Sequence, residues 1–466
     1  MKTSGGVWWV RALGSCALAS TVGACGSSSP AQPSDFVLDN PNGDNGGDNG
    51  GLTGTGAAED GGETGGSDPT GDGEDGGDGE REVSEADIVF VQDDRLYALS
   101  ATGGLSVIDA ANPDVALPVL GRHRMPGMPF EMYLDDRQVF VMMNDYGSYG
   151  WDDAAGSYTW HSASRLVALD TTNPANITTR GELEIPGSIQ DSRRVGDILY
   201  LVTFEDGYCW GCSENRARTV ITSLDVSNLA AVEIVDSIEL VDETDEWSWS
   251  GPRSVSATDE RMYIGGIDYD GWDDAHSTID VIDISDPGGV LQRGASLTVA
   301  GQIQSRWQMD EHDGALRVIS QPWQWSSDSP PVIQTFAVVS ASEITELASL
   351  EMVLPRPETL QSVRFDGPRA YAITFEQTDP LFTIDLADPA APAQVGELEI
   401  PGWVHHIEPR GDRLLALGFD RADEAGSINV SLFDVSDFAA PTMLSRVGFG
   451  GDWADFAEDQ NRLHKA

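Results

Sequence analysis

Short apolar runs recur along this chain, each closing on an Asp and followed at once by a turn signal. The runs are Leu105–Asp109, Leu166–Asp170, Ile221–Asp225, Ile279–Asp283, Phe382–Asp385 and Val430–Asp434. The turn signals are Asn112-Pro113, Asn173-Pro174, Ser227-Asn228, Asp286-Pro287, Asp388-Pro389 and Ser436-Asp437. A degenerate copy, Gln334–Val338, has Ala337 where Asp stands elsewhere. The copies return at intervals of about fifty residues, and several short alternating strands per repeat of that length is the pattern of propeller blades.

One repeat, from Arg356 to Gly402, shows the parts. Strand A is Ser362–Phe365, strand B Ala370–Phe375, strand C Leu381–Asp385 and strand D Gln394–Ile400. Asp366-Gly-Pro-Arg369 joins A to B and Leu386-Ala-Asp-Pro-Ala390 joins C to D, with Gly and Pro where such turns need them. On this template blade one runs from about Ala86 to Gly127, blade two to Gly187, blade three to about Glu246 and blade four to Gly301. Blade five ends near Pro355, blade six at Gly402 and blade seven near Gly451. β-Branched and aromatic residues fill the strands and no 3.6-residue period persists, so almost no helix is expected. The prediction is an all-β propeller of seven complete four-stranded blades, strand A innermost. Residues 452–466 read as the start of an eighth blade. Either they pair with blade one to close the ring, or the sequence is a fragment.

The stretch Ser362–Pro389, continued by Gly396-Glu-Leu-Glu-Ile-Pro-Gly402, resembles a family of secreted bacterial and archaeal proteins with a C-terminal β-propeller distantly related to WD40 repeats. The likeness resumes at Val430–Asp437 and His464-Lys465-Ala466, while earlier blades also resemble short LVIVD-type repeats of surface proteins. It implies the fold and export, but no settled activity. Where that family tends to carry Leu-His-Pro, this chain has Ile407-Glu408-Pro409, so no role for that histidine carries over.

The N-terminus reads as an address. Lys2 and Arg11 precede an apolar small-residue stretch, Ala12–Ala24, too short to span a bilayer. Val22-Gly23-Ala24-Cys25 resembles a lipobox, which makes residues 1–25 a lipoprotein signal and Cys25 the lipidation site; the alternative is an ordinary secretory signal cleaved nearby. Gly26, not Asp, at the next position points onward to the outer membrane. Residues 26–85 are a Gly- and Asp-rich linker with no Lys or Arg between Gly26 and Glu80; such a segment buries nothing, repels itself and is expected to be a disordered tether. Residues 86–466 form the propeller domain. The chain has 77 acidic against 27 basic residues, a net charge of −50. Nucleic acid and anionic lipid headgroups are therefore excluded as partners, and membrane attachment is expected through the lipid alone.

With Cys16 removed in the signal and Cys25 as anchor, Cys209 and Cys212 remain. They lie in an acidic loop between strands, not at a helix N-terminus that would activate a redox thiol, and no second ligand pair completes a zinc site. A disulfide stapling the loop is the expected use.

Chemistry is expected on the face where the B–C loops and D-to-A connections open. The C–D turns are short and alike, whereas the B–C loops are long and differ from blade to blade, as binding loops on a rigid scaffold do. They carry Trp151 and Trp160 in blade two, Trp210 in blade three, Trp272 in blade four, and Trp323 and Trp325 in blade five; Trp249 sits in a D-to-A connection. Aromatic rings set among Asp, Asn, Ser and Gly suit a glycan, peptide or protein partner; alternatively they pack the loops on themselves. No cofactor is required by the sequence. Asp268, Asp270, Asp273 and Asp274 form a candidate Ca²⁺ site, although the loop lacks the Glu that completes an EF-hand, and exposed acidic turn residues are the plainer reading. Strand A residues Gln190, Arg193, Arg253, Gln304, Arg306, Gln361, Arg364, His405 and His406 line the channel, about half of them facing inward by alternation. No nucleophile elbow, zincin helix or phosphate-binding glycine loop is present. The expectation is a monomeric, envelope-anchored binding module, with a metal-dependent hydrolase or lactonase acting in the channel as the alternative.

Overall fold

The computed structural model describes residues 81–449, apart from 82, 114–115, 145–147, 153–156, 162, 206–217, 229, 242–252, 270–274, 323–328, 376–378 and 421–427. All of these belong to one compact unit, Gly66–Ala466. They form seven antiparallel four-stranded sheets, each ordered A-B-C-D along the chain and set in a ring. The sheets run Val89–His123, Met128–Pro186, Ser188–Val241, Ser254–Val299, Met309–Glu351, Thr359–Ile400 and Trp403–Phe449. The expected propeller of seven four-stranded blades stands, while the limits expected near Glu246 and Gly451 lie outside the described residues. The B–C insertion of blade two adds a hairpin of its own, Ser148–Asp152 with Ser157–His161. Helix among the described residues amounts to two 3₁₀ turns, Pro174–Asn176 and Arg306–Gln308.

The recurring Asp has one job throughout. Asp109, Asp170, Asp225, Asp283, Asp385 and Asp434 each accept, on Oδ1, the backbone N–H two residues ahead at 2.9–3.0 Å. This Asx turn takes the chain out of strand C without the backbone having to find another partner. The second polar residue repeats the device, with Asp286, Asp388, Asp437 and Asn228 accepting from Gly288, Ala390, Ala439 and Ala230. Blade five, lacking the Asp, runs strand C on to Ser340 and turns back tightly, with Ser340 opposite Glu343.

Just before this position every C–D ladder slips by one residue, as at Ser223/Leu224, Thr335/Phe336 and Thr383/Ile384. The slip presses the blade against its neighbour's C–D turn. Ser223, Thr335 and Thr383 hydroxyls donate to the carbonyls of Gly289, Pro389 and Phe438 in the next blade, at 2.6, 2.5 and 2.6 Å. Glycine is needed beside two such turns: a Cβ on Gly121 would lie 1.7 Å from Pro174 O, and one on Gly294 2.2 Å from Ala341 O.

Six buried apolar clusters fill six of the seven blade junctions, from blades one and two to blades six and seven. The last holds ten buried residues, including Tyr371, Leu381, Ile407 and Phe433. At roughly 1.5–3 kcal/mol per large buried side chain, one junction outweighs any single hydrogen bond in it, so stability comes from stacking. No such cluster spans blades seven and one among the described residues. Leu415, Leu417, Val430 and Leu432 of blade seven and Leu96, Ala98 and Ile108 of blade one are half-buried. The two accounts of an eighth blade concern residues outside the described set.

The chain enters the disc along its centre. Val83 and Ser84 pair with Val195 and Arg194 as a fifth strand on the inner edge of blade three, and Asp87 bridges Met132 in blade two. Arg81 donates to the carbonyls of Asp259, Ile284 and Asp286 in blade four. Those carbonyls belong to an A–B turn and a C–D turn, which fixes the face at which this strap begins.

Candidate functional site

The inner strands bring a polar cluster together near the axis. In blades two, three, six and seven strand A carries a bulge at the same place, skipping Phe130, Gln190, Gln361 and His405 in the pairing with strand B. The residues after the bulge, Glu131, Asp191, Ser362 and His406, are all buried. Two residues further on come Arg193, Arg364 and Glu408 in blades three, six and seven, also buried. Blade five contributes by another route. Its D-to-A connection folds into the 3₁₀ turn Arg306–Gln308, held by a capping box in which the Ser305 side chain accepts from Trp307 N–H and the Gln308 side chain reaches back to Ser305 N–H. This turn directs Arg306 and Trp307 at strand A of blade six.

Asp191 joins two guanidiniums. Its Oδ1 accepts from Arg193 Nη1 at 2.6 Å and from Arg306 Nη1 at 3.3 Å. Arg193 also donates to Val255 O of blade four, and Glu85 of the strap lies 3.6 Å from it. Burial works against the Arg193 charge, but the attraction of Asp191 and Glu85 outweighs it and its pKa rises.

Arg364 is placed differently. Its guanidinium lies 3.4 Å from the Trp307 ring centroid, with Arg306 4.7 Å from the same ring. Its hydrogen bonds go to Val363 O and to His406 Nδ1 at 2.8 Å. It forms no ion pair among the described residues. Burial pushes it down to about 9, against the pull of Glu408, and neighbouring Arg306 adds to the fall. An arginine can only donate, so His406 accepts on Nδ1 and its proton sits on Nε2, which faces Glu408 Oε2 at 3.7 Å. Burial lowers the His406 pKa, partly offset by Glu408, so the ring is neutral near pH 7. Burial also opposes the Glu408 charge, but His406, Arg364 and Arg410 outweigh it and keep that carboxyl low. Among the described residues the site thus combines three guanidiniums, a neutral imidazole and a flat ring with the carboxylates of Asp191 and Glu408.

Of the residues expected in the channel, Arg193, Arg306, Arg364 and His406 meet here, whereas Gln190, Gln361 and His405 are half-buried and Gln304 is exposed. Arg253 stays within blade four, 3.7 Å from Asp280. Sequence reasoning missed Asp191, Trp307 and Glu408; the Ser305-x-x-Gln308 capping pattern was the signal for Trp307. Trp151 and Trp160 stand on the two strands of the blade-two hairpin, where Trp151 is opposite Tyr158 and Trp160 opposite Tyr149. Asp268 lies on strand B of blade four, opposite His276. The side chains of these three are outside the described set, as are Cys25, Cys209, Cys212, Trp210, Trp249, Trp272, Trp323, Trp325, Asp270, Asp273 and Asp274 altogether.

Comparison with known proteins agrees with the architecture. The family model described as "Beta propeller domain" matches residues 79–466. An uncharacterized protein of Archaeoglobus fulgidus is 30% identical over 207 residues, covering 44% of this chain and 32% of that one. An uncharacterized protein of Methanocaldococcus jannaschii is 32% identical over 162 residues, covering 34% of this chain and 25% of that one. The match thus spans about a third and a quarter of these relatives. Among solved structures, the computationally designed Ika8 protein aligns with a TM-score of 0.47 at 10% identity, covering 79% of this chain and 90% of that one. Dihydro-heme d1 dehydrogenase NirN aligns with a TM-score of 0.41 at 15% identity, covering 76% and 64%.

Proposed function

The chain belongs to the beta propeller domain family, and on that premise we propose that it is a lipid-anchored binding module of the cell envelope that presents its B–C loops to a glycan, peptide or protein partner. The observation that carries this reading is the strap. Arg81, the first described residue, is tied to an A–B turn and a C–D turn of blade four and so lies on the face of the uniform turns. The ends of strands B and C from which the B–C connections leave lie on the opposite face, which is where a module reaching for a partner needs them. The Asx turns hold the near face in one repeated shape, while the far face varies from blade to blade, and variable loops on a fixed scaffold are where recognition concentrates. The described groups at the centre are arginines around an indole, with His406 and the carboxylates of Asp191 and Glu408 held by them in ion pairs and hydrogen bonds, an arrangement that supports binding over hydrolysis.

The test is a glycan array with the chain carrying Trp151→Ala, Trp272→Ala and Trp325→Ala beside the unmodified protein. Glycan binding should be lost in the triple variant while its far-UV spectrum and melting temperature persist. Retained binding in the variant would refute the loop-face reading.

A further inference from the structure

We infer that the cluster of Arg306, Trp307, Arg364 and His406 is a binding site for a small oxyanion, either a carboxylate or a tetrahedral sulfate or phosphate group. It is independent of the B–C loops.

The argument is one of unmet demand. Arg306 and Arg364 are only 5% and 4% exposed, and their guanidiniums lie within 4.7 and 3.4 Å of a single ring centroid. Arg306 Nε, Arg364 Nε and Trp307 Nε1 are all buried without a hydrogen-bond partner. All three are N–H donors on side chains that meet at the Trp307 ring. Buried N–H groups are very seldom left unpaired in folded proteins. Three together call for something that brings several acceptors at once.

The charges point the same way. Asp191 is shared between Arg193 and Arg306, and Glu408 is engaged by Arg410 at 2.7 Å. His406 accepts one hydrogen bond from Arg364 but, being neutral, brings no negative charge. The depressed Arg364 pKa is what an under-compensated buried cation shows. An oxyanion carries the missing charge and enough lone pairs for two guanidinium edges and an indole N–H. Trp307 serves as a wall as well as a donor: its face already holds Arg364 by a cation–π contact, so the arginine edge is pre-aimed. In a chain of net charge −50, such a site takes an anion small enough to shed its water and enter, and the outer charge repels long polyanions.

The experiment titrates inorganic phosphate, sulfate and acetate into the full chain by calorimetry at constant ionic strength, with chloride as the reference, alongside thermal melts. At least one oxyanion should bind with one-to-one stoichiometry and raise the melting temperature. A tetrahedral preference assigns sulfate or phosphate, and an acetate preference assigns a carboxylate. Arg364→Met removes the uncompensated cation and should weaken binding about ten- to hundredfold, the value of a charge-assisted hydrogen bond. Trp307→Phe keeps a ring under the guanidinium but deletes the indole donor, and should weaken binding about five- to tenfold. This second variant keeps the test decisive if the first does not fold. No binding beyond chloride, or wild-type affinity in a folded variant, would overturn the site.

Discussion

The junction between blades six and seven allows a quantitative test of how the ring is sealed. Thr383, fully buried, donates its hydroxyl to Phe438 O at 2.6 Å. Gly396, on the neighbouring strand D, has room for nothing larger: a Cβ there would lie 2.7 Å from Phe438 O and 2.7 Å from Thr383 Oγ1. Thr383→Val keeps the shape, deletes the donor and strands the carbonyl, a cost of about 1–3 kcal/mol. Gly396→Ala falls about 0.7 Å short of the 3.4 Å at which ordinary contact begins, and overpacking of that kind costs about 1–3 kcal/mol. Both changes act on one oxygen. The alanine pushes away the turn that the hydroxyl must reach, so the double variant should lose less than the sum, by about 1 kcal/mol. Urea unfolding followed by far-UV circular dichroism gives the midpoints, and exchange of the Ala439 and Ala440 amides, which cap this turn on Asp437, gives the local effect. Thr383→Ser, which keeps the hydroxyl, is the control. Strict additivity, or an unmoved midpoint in Gly396→Ala, would refute the shared-oxygen seal.

Two further outcomes follow from the centre of the disc. The His406 pKa is lowered by burial, so above the ordinary imidazole value of about 6.5 its contribution is fully present, and stability should fall as pH drops from there toward the lowered folded value; His406→Gln should flatten that part of the stability-against-pH curve, and an unchanged curve would remove His406 from the account. Arg81→Ala deletes three hydrogen bonds from the strap to blade four and should lower stability by about 1–3 kcal/mol while speeding amide exchange at Val83 and Ser84. Unchanged exchange there would mean that the strap is held by something else.

The blade repeat was legible because its signal is chemical as well as periodic. The Asp closing each run is required by the turn it makes, so Asp109 and Asp434 announce the same event 325 residues apart. Ala337 was recognisable as a missing copy for the same reason, though not that strand C would continue to Ser340 in its place. The bulges were not legible. A one-residue slip at Gln190, Gln361 or His405 leaves no mark in residue type, yet it sets which neighbours reach the axis. Without it, alternation alone selects the wrong partners, and Asp191 and Glu408 passed as ordinary strand residues. The strap was hidden because two residues, Val83 and Ser84, within an acidic stretch show no period. Their pairing is dictated by the free edge they meet.

That free edge explains why arginine gathers at the axis of so acidic a protein. Within its own blade strand A pairs only outward, with strand B, so the inner edges bring carbonyls toward one line that must find donors elsewhere. The strap meets the need along part of blade three by backbone pairing. Elsewhere arginine side chains supply donors: Arg193 reaches across to Val255 O and also caps Ser192 O beside it, as Arg364 caps Val363 O. Asp and Glu only accept, so at the axis Asp191 and Glu408 serve as partners of the arginines and not of the carbonyls, and the repeated Asp of the C–D turns sits where N–H groups are in surplus. Donors supplied to satisfy strand edges arrive as whole guanidiniums, each with more N–H groups than the edge consumes. The surplus at Arg306 and Arg364 is therefore a product of closing strands around an axis, and it is this surplus that an oxyanion would use.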